Sequence, residues 1–201
     1  MLKNIVFDMG GVLIDYDPDA FVERLNVPKE DRRLLRQEVF SSPEWAWMDE
    51  GKLQEEEYIE ILKERLPERL HKEMETLVLH WDEPLIQIEG MKELIAGLKE
   101  EGYKIYLLSN ASVRQHEYWP RISASVYFDG TLVSADERLV KPDPEIYRRL
   151  SEKFGLALSE CLFIDDMERN LQGAKSVGMK TFLFKKNPEE LKKYIKEGGS
   201  R

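Results

Sequence analysis

Asn4-Ile-Val-Phe7 is too short for a helix, and its β-branched and aromatic residues suit a strand buried on both faces. It runs straight into Asp8, and Gly10-Gly11 follow, so the chain must turn sharply at the strand's carboxyl end. That puts a carboxylate at the edge where parallel α/β sheets bind ligands. Taken alone, Asp8 is better explained as a turn-capping residue than as a nucleophile or metal ligand. The rest of the chain decides between them.

Strands and helices alternate further along. Met91, Leu94, Ile95 and Leu98 recur at i, i+3, i+4 and i+7, which predicts a helix ended by Gly102. A buried strand is predicted over 104–109, then a helix over 112–122 and a short apolar stretch at 126–128. A helix over 144–154 is closed by Gly155, and a strand at 162–164 ends in Asp165-Asp166. Met167, Leu171, Ala174 and Val177 form one more helix face, and a strand at 181–184 precedes a helix over 188–196. This alternation predicts an α/β fold with a parallel sheet covered by helices on both faces.

Between Pro18 and Trp81 there is no strand signal. Tyr58, Ile61, Leu62 and Leu66 repeat at helical spacing among many charged residues, as do Leu70, Met74, Leu77 and Trp81. A small helical bundle is therefore inserted after the first strand. Trp45, Trp47 and Met48 within it are expected in its core rather than along a pocket.

The chain of 201 residues suits one domain with a modest insertion. Its net charge of −9 argues against nucleic acid or an anionic membrane as partner. An anionic substrate would need a metal or local cations to offset that field. Cys161 is the single cysteine, which excludes an intrachain disulfide and favours a reducing, cytoplasmic location. No apolar run approaches the roughly 18 residues of a membrane span, and no signal peptide is expected. A monomer or weak dimer is the expected state. His71, His80 and His116 show no metal-ligand spacing.

Strand ends supply four polar clusters in order: Asp8, Ser109-Asn110, Lys141 in Val-Lys-Pro-Asp143, and Asp165-Asp166. Carboxylates from two strands, with no histidine or cysteine nearby, form a hard oxygen site suited to Mg²⁺. The hydroxyl, the lysine and the helix-start amides beside them suit a phosphate. Each cluster alone is explained by capping or by a solvated charge. Four in order at strand ends are not.

In this set the chain resembles the haloacid dehalogenase (HAD) superfamily, mostly Mg²⁺-dependent phosphatases. Phe-Asp8-Met-Gly-Gly-Val12, Leu-Leu-Ser109-Asn, Lys141-Pro-Asp-Pro and Ile-Asp165-Asp166 with Asn170 are similar to its four motifs. The start, the Asp15-Tyr-Asp17 exit and Leu-Ser-Asn look closest to the glucose-1-phosphatase-like subgroup. The resemblance implies a Rossmann-like three-layer αβα core over 1–16 and 83–201, with a helical (C1-type) cap over 17–82. It implies that Asp8 attacks phosphorus to form an aspartyl-phosphate, that Ser109 and Asn110 bind the phosphoryl group, and that Lys141 balances its charge. It implies Mg²⁺ held by Asp8, the Gly10 carbonyl and Asp166, with Asp165 a second or indirect ligand.

One position departs from that pattern. Most phosphatases of the superfamily carry an acid two residues after the nucleophile, where this chain has Gly10. General acid help is worth roughly 10²–10⁴-fold. The resemblance thus implies a phosphomonoesterase for a small phosphometabolite, with a sugar phosphate such as a sugar 1-phosphate among the candidates. The alternative is a low-turnover phospho-ligand binding or regulatory protein. Asp15 and Asp17 are the nearby carboxylates in sequence that could replace the acid.

Overall fold

The computed structural model describes residues 2–198. Among these, β1 (Asn4–Phe7), β2 (Lys104–Ser109), β3 (Gly130–Val133), β4 (Cys161–Asp165) and β5 (Lys180–Leu183) form one sheet. The order is β3-β2-β1-β4-β5, with every neighbouring pair parallel. β1 is central and wholly buried, as its apolar run Ile5–Phe7 requires.

Side chains alternate across the sheet and divide the core in two. Ile5, Phe7, Ile105, Leu107, Leu162 and Ile164 face α6 (Met91–Glu100) and α11 (Pro188–Lys196), through residues such as Ile95 and Leu191. Val6, Leu108 and Phe163 face α9 (Pro144–Phe154) and α10 (Glu168–Ser176), through Ile146, Leu150 and Leu171. The result is a three-layer αβα arrangement. From β1 the chain builds β2 and then β3 on one side, and it crosses from β3 to β4 on the other, so the carboxyl ends of β1 and β4 flank a topological switch point.

The stretch after β1 is helical: α1 (Pro18–Glu23), α2 (Lys29–Phe40), α3 (Pro43–Asp49), α4 (Glu55–Arg65) and α5 (His71–His80). Tyr58 is fully buried at its centre, and its hydroxyl donates to the Val39 carbonyl at 2.6 Å. No helix among the described residues is long and apolar enough to cross a membrane.

One local expectation needs correction. The helix expected over 112–122 is only α7 (Gln115–Tyr118), followed by a 3₁₀ turn at Trp119–Arg121. Pro120 lacks the N–H that an α-helix would use there. The short apolar stretch at 126–128 falls on a 3₁₀ turn, Ser125–Tyr127, with Val126 79% exposed. The strand is β3 just after it, then α8 (Ser134–Glu137). Gly130 opens β3 because the Phe154 ring lies over it, where a Cβ would come within 2.4 Å.

Candidate active site

Every expected site residue lies at the carboxyl edge of the sheet. Asp8 follows β1, and its N–H donates to the Ile164 carbonyl at 2.9 Å, which extends the pairing with β4. Asp8 Oδ1 accepts from the Met9 N–H and from Lys141 Nζ, each at 2.7 Å. The same ammonium donates to Asp165 Oδ2 at 2.9 Å. Lys141 is almost entirely buried, so this bridge is shielded from solvent.

Lys141 is held from two sides. Asn110, just after β2, donates to the Lys141 carbonyl at 3.0 Å and accepts from its N–H at 2.8 Å. Its amide therefore clamps the lysine loop, a positioning geometry that the strand-end pattern did not disclose. On the other side α10 packs directly on the loop, since a Cβ on Gly173 would lie 2.3 Å from the Pro142 carbonyl oxygen. Ser109 closes β2 and is buried.

The two adjacent aspartates differ. Asp165 is fully buried, and Oδ1 accepts from the Met167 N–H at 2.8 Å. Asn170 donates to both its oxygens. Asp166 is exposed toward the cavity beside Gly10 and Gly11. Gly11 has φ +71°, and a Cβ there would lie 2.2 Å from Asp166 Oδ2. Only glycine leaves room for that carboxylate.

A cavity of about 420 Å³ opens over Asp8, Gly10, Lys141 and Asp166. Its other walls are aromatic: Tyr16, Phe40, Trp45, Trp81 and Tyr118. Trp81 meets Tyr16 and Tyr118 edge-on, at 5.2 Å in both cases. Trp45 and Met48 thus line the cavity, whereas Trp47 is 43% exposed and does not. Arg36 and Arg114 add positive charge and are braced by Asp19 at 2.9 Å and Asp82 at 2.8 Å. Asp49, Glu55 and Arg169 complete the charged lining. None of these five was singled out from sequence, because each sits in a charge-rich segment that reads as a solvated face.

A family model for haloacid dehalogenase-like hydrolases matches residues 2–178. The chain belongs to this family. The hydrolase is 31% identical over 193 residues to a D-ribitol-5-phosphate phosphatase of Bacteroides thetaiotaomicron, spanning 90% of this chain and 91% of that one. It is 26% identical over 183 residues to a phosphorylated carbohydrates phosphatase of Thermotoga maritima, spanning 89% and 82%. Its fold is that of a HAD family enzyme from Bacteroides thetaiotaomicron, solved as a mutant with magnesium and inorganic phosphate. That likeness has a TM-score of 0.74 at 24% identity and covers 93% of this chain and 96% of that one. An L-2-haloacid dehalogenase of Xanthobacter autotrophicus shares the fold at a TM-score of 0.66 and 20% identity, over 90% and 76%.

The electrostatics of the hydrolase fit a divalent cation. Carboxylate oxygens of Asp8, Asp165 and Asp166 lie within 4.8 Å of one another, three negative charges against the single ammonium of Lys141. Burial pushes the Asp8 carboxyl up; Lys141 opposes the shift and Asp165 adds to it. Burial and then Asp165 also raise Asp166. Burial acts to lower the Lys141 ammonium, but Asp8 and Asp165 overcome it and hold it above its ordinary value. The cluster is short of positive charge and offers only oxygen donors, the preference of a hard ion such as Mg²⁺.

Proposed function

We propose that this hydrolase is a Mg²⁺-dependent phosphomonoesterase that acts on a small phosphorylated metabolite through an aspartyl-phosphate on Asp8. The observation that carries the reading is the buried Lys141 bridge from Asp8 to Asp165, set beside Asp166 at the mouth of one cavity. A pure binding site has no need of a carboxylate aimed at an anion.

In this reading Asp8 Oδ1 stays bound to Met9 and Lys141, and Oδ2 attacks phosphorus in line. Ser109 donates to a phosphoryl oxygen, and Lys141 offsets the charge gathering on the transferring group. Asn110 keeps Lys141 in place. Asp8, Asp166 and the Gly10 carbonyl would hold the ion, with Asp165 acting indirectly through Lys141 and Asn170. Mg²⁺ supplies Lewis-acid charge that relieves repulsion between the anionic nucleophile and the anionic ester.

Residues 17–82 serve as a cap that closes on the substrate, over a core formed, among the described residues, by 2–16 and 83–198. Aromatic walls with three arginines, in a cavity of about 420 Å³, suit a sugar or polyol phosphate, sugar 1-phosphates included. The names of the ribitol phosphate and carbohydrate phosphatases support that substrate class. The magnesium and phosphate bound by the structural neighbour support the metal. The buried, unpaired Cys161 fits a cytoplasmic setting.

The test is a phosphate-release screen over many phosphometabolites, with and without Mg²⁺. Release from sugar or polyol phosphates that stops with a chelator is expected. No Mg²⁺-dependent release from any phosphoester would refute the reading.

A further inference from the structure

Gly10 leaves the carboxyl edge of β1 without a proton donor for the departing oxygen. Neither carboxylate nearest in sequence replaces it. Asp15 is ion-paired with Lys186, and Asp17 caps α1 by accepting from the Asp19 and Ala20 N–H groups. Neither lines the cavity. Two other carboxyls do, and both come from the inserted helices. Glu55 is already engaged, with its Oε1 accepting from Ser112 Oγ at 2.5 Å. Asp49 is different: among the described residues its carboxyl has no protein hydrogen-bond or ion-pair partner.

Its backbone, by contrast, is fixed. The Asp49 carbonyl accepts from Ser134 Oγ at 2.6 Å, which ties the end of α3 to the start of α8. Two residues on, Gly51 has φ +65°, and a Cβ there would lie 2.3 Å from the Ala135 carbonyl oxygen. The end of α3 is thereby anchored on the segment that follows β3, with an uncommitted carboxyl in the cavity that holds Asp8.

We propose that Asp49 is the general acid of this enzyme, protonating the leaving oxygen that Gly10 cannot serve. The inference rests on the phosphatase reading above. As Asp8 Oδ2 bonds to phosphorus, the bond from phosphorus to the ester oxygen breaks. The proton of Asp49 passes to that oxygen, and the product leaves as a neutral alcohol. The Asp49 carboxylate then takes a proton from the water that attacks the aspartyl-phosphate at phosphorus. Inorganic phosphate departs, and both aspartates return to their starting states.

The surroundings of Asp49 suit a carboxyl that must hold a proton near neutral pH. Burial raises it to about 7; Lys141 opposes the shift, while Glu55 and Glu50 add to it. Tyr16 and Tyr118 also face it and stay protonated, since burial and the Asp49 charge hold both phenols above their ordinary range.

The experiment measures kcat/KM across a series of aryl and alkyl phosphates, graded by leaving-group basicity, for the parent, Asp49→Asn and Asp49→Glu. An aryl oxide needs little protonation, whereas an alkoxide needs much. Asp49→Asn should lower the ratio of alkyl to aryl rates by about 10²–10⁴-fold. It should also abolish the fall in alkyl turnover above about pH 7. Asp49→Glu should recover part of the ratio. A thermal melt and the remaining aryl activity report folding. Gly10→Asp added to Asp49→Asn should restore alkyl turnover, because a Cβ at Gly10 meets nothing nearer than Tyr16 Cβ at 3.4 Å. Equal losses on aryl and alkyl esters with an unchanged pH profile would overturn the role of Asp49 while leaving the phosphatase reading standing. An inactive parent would overturn both.

Discussion

Replacing Lys141 by methionine should destabilise the metal-free protein by an amount that depends on pH. The side chains of Lys141 and Asp165 are 1% and 0% exposed, and that of Asp8 is 11% exposed, so water cannot compensate for the lost ammonium. Methionine matches the length of the stem but leaves two buried carboxylates facing each other. Removing one partner of a buried ion pair costs about 3–5 kcal/mol. At pH 8 with a chelator present, Lys141→Met should fall in that range.

The cost should shrink on acidification. Loss of the lysine raises the folded-state pKa of Asp8 further above its unfolded value, since burial and Asp165 already push it up. A carboxyl raised in the folded state carries no penalty when protonated in both states. The penalty grows as pH climbs through the unfolded value toward the folded one. Urea denaturation of parent and variant at pH 5 and pH 8 would show it, with the larger difference at pH 8. A loss below about 1 kcal/mol, or one of equal size at both pH values, would refute the idea that the Lys141 bridge neutralises a buried anionic cluster.

Asp166→Ala should abolish most Mg²⁺ binding by calorimetry and remove any rise in melting temperature on adding Mg²⁺; Gly11→Ala should weaken both by displacing the same carboxylate. Trp45→Ala should change the preference among sugar phosphates more than the rate on an aryl phosphate, because Trp45 lines the cavity. Trp47→Ala should leave both nearly unchanged, since that ring is 43% exposed outside it.

The sheet and the polar edge that carries the candidate site were legible from sequence because local signals coincide there. The unbroken apolar run of β1 ends at Asp8, a glycine follows where Asp166 needs space, and Asp165-Asp166 closes β4 in the same way. β3 escaped detection because Gly130 is set by contact with a ring from α9, a long-range fact with no local trace. α7 was overextended because its apolar spacing continues through Pro120, which ends the hydrogen bonding. The cavity walls were the least legible part. Arg36, Asp49, Glu55 and Arg114 lie among many similar charges, and only the packing of inserted helices against the sheet edge selects which face inward. Asn110 shows the complementary limit: its position at a strand end was readable, but its commitment to the Lys141 main chain was not.

Phosphorylation of Asp8 is tested most directly by acid-quench trapping of the protein during turnover of a labelled phosphoester with Mg²⁺. A transient phosphate adduct is expected on the peptide that contains Asp8, formed no more slowly than alcohol is released. The adduct and turnover should both be absent in Asp8→Asn. Steady turnover by Asp8→Asn, or label on another residue of the active parent, would contradict it.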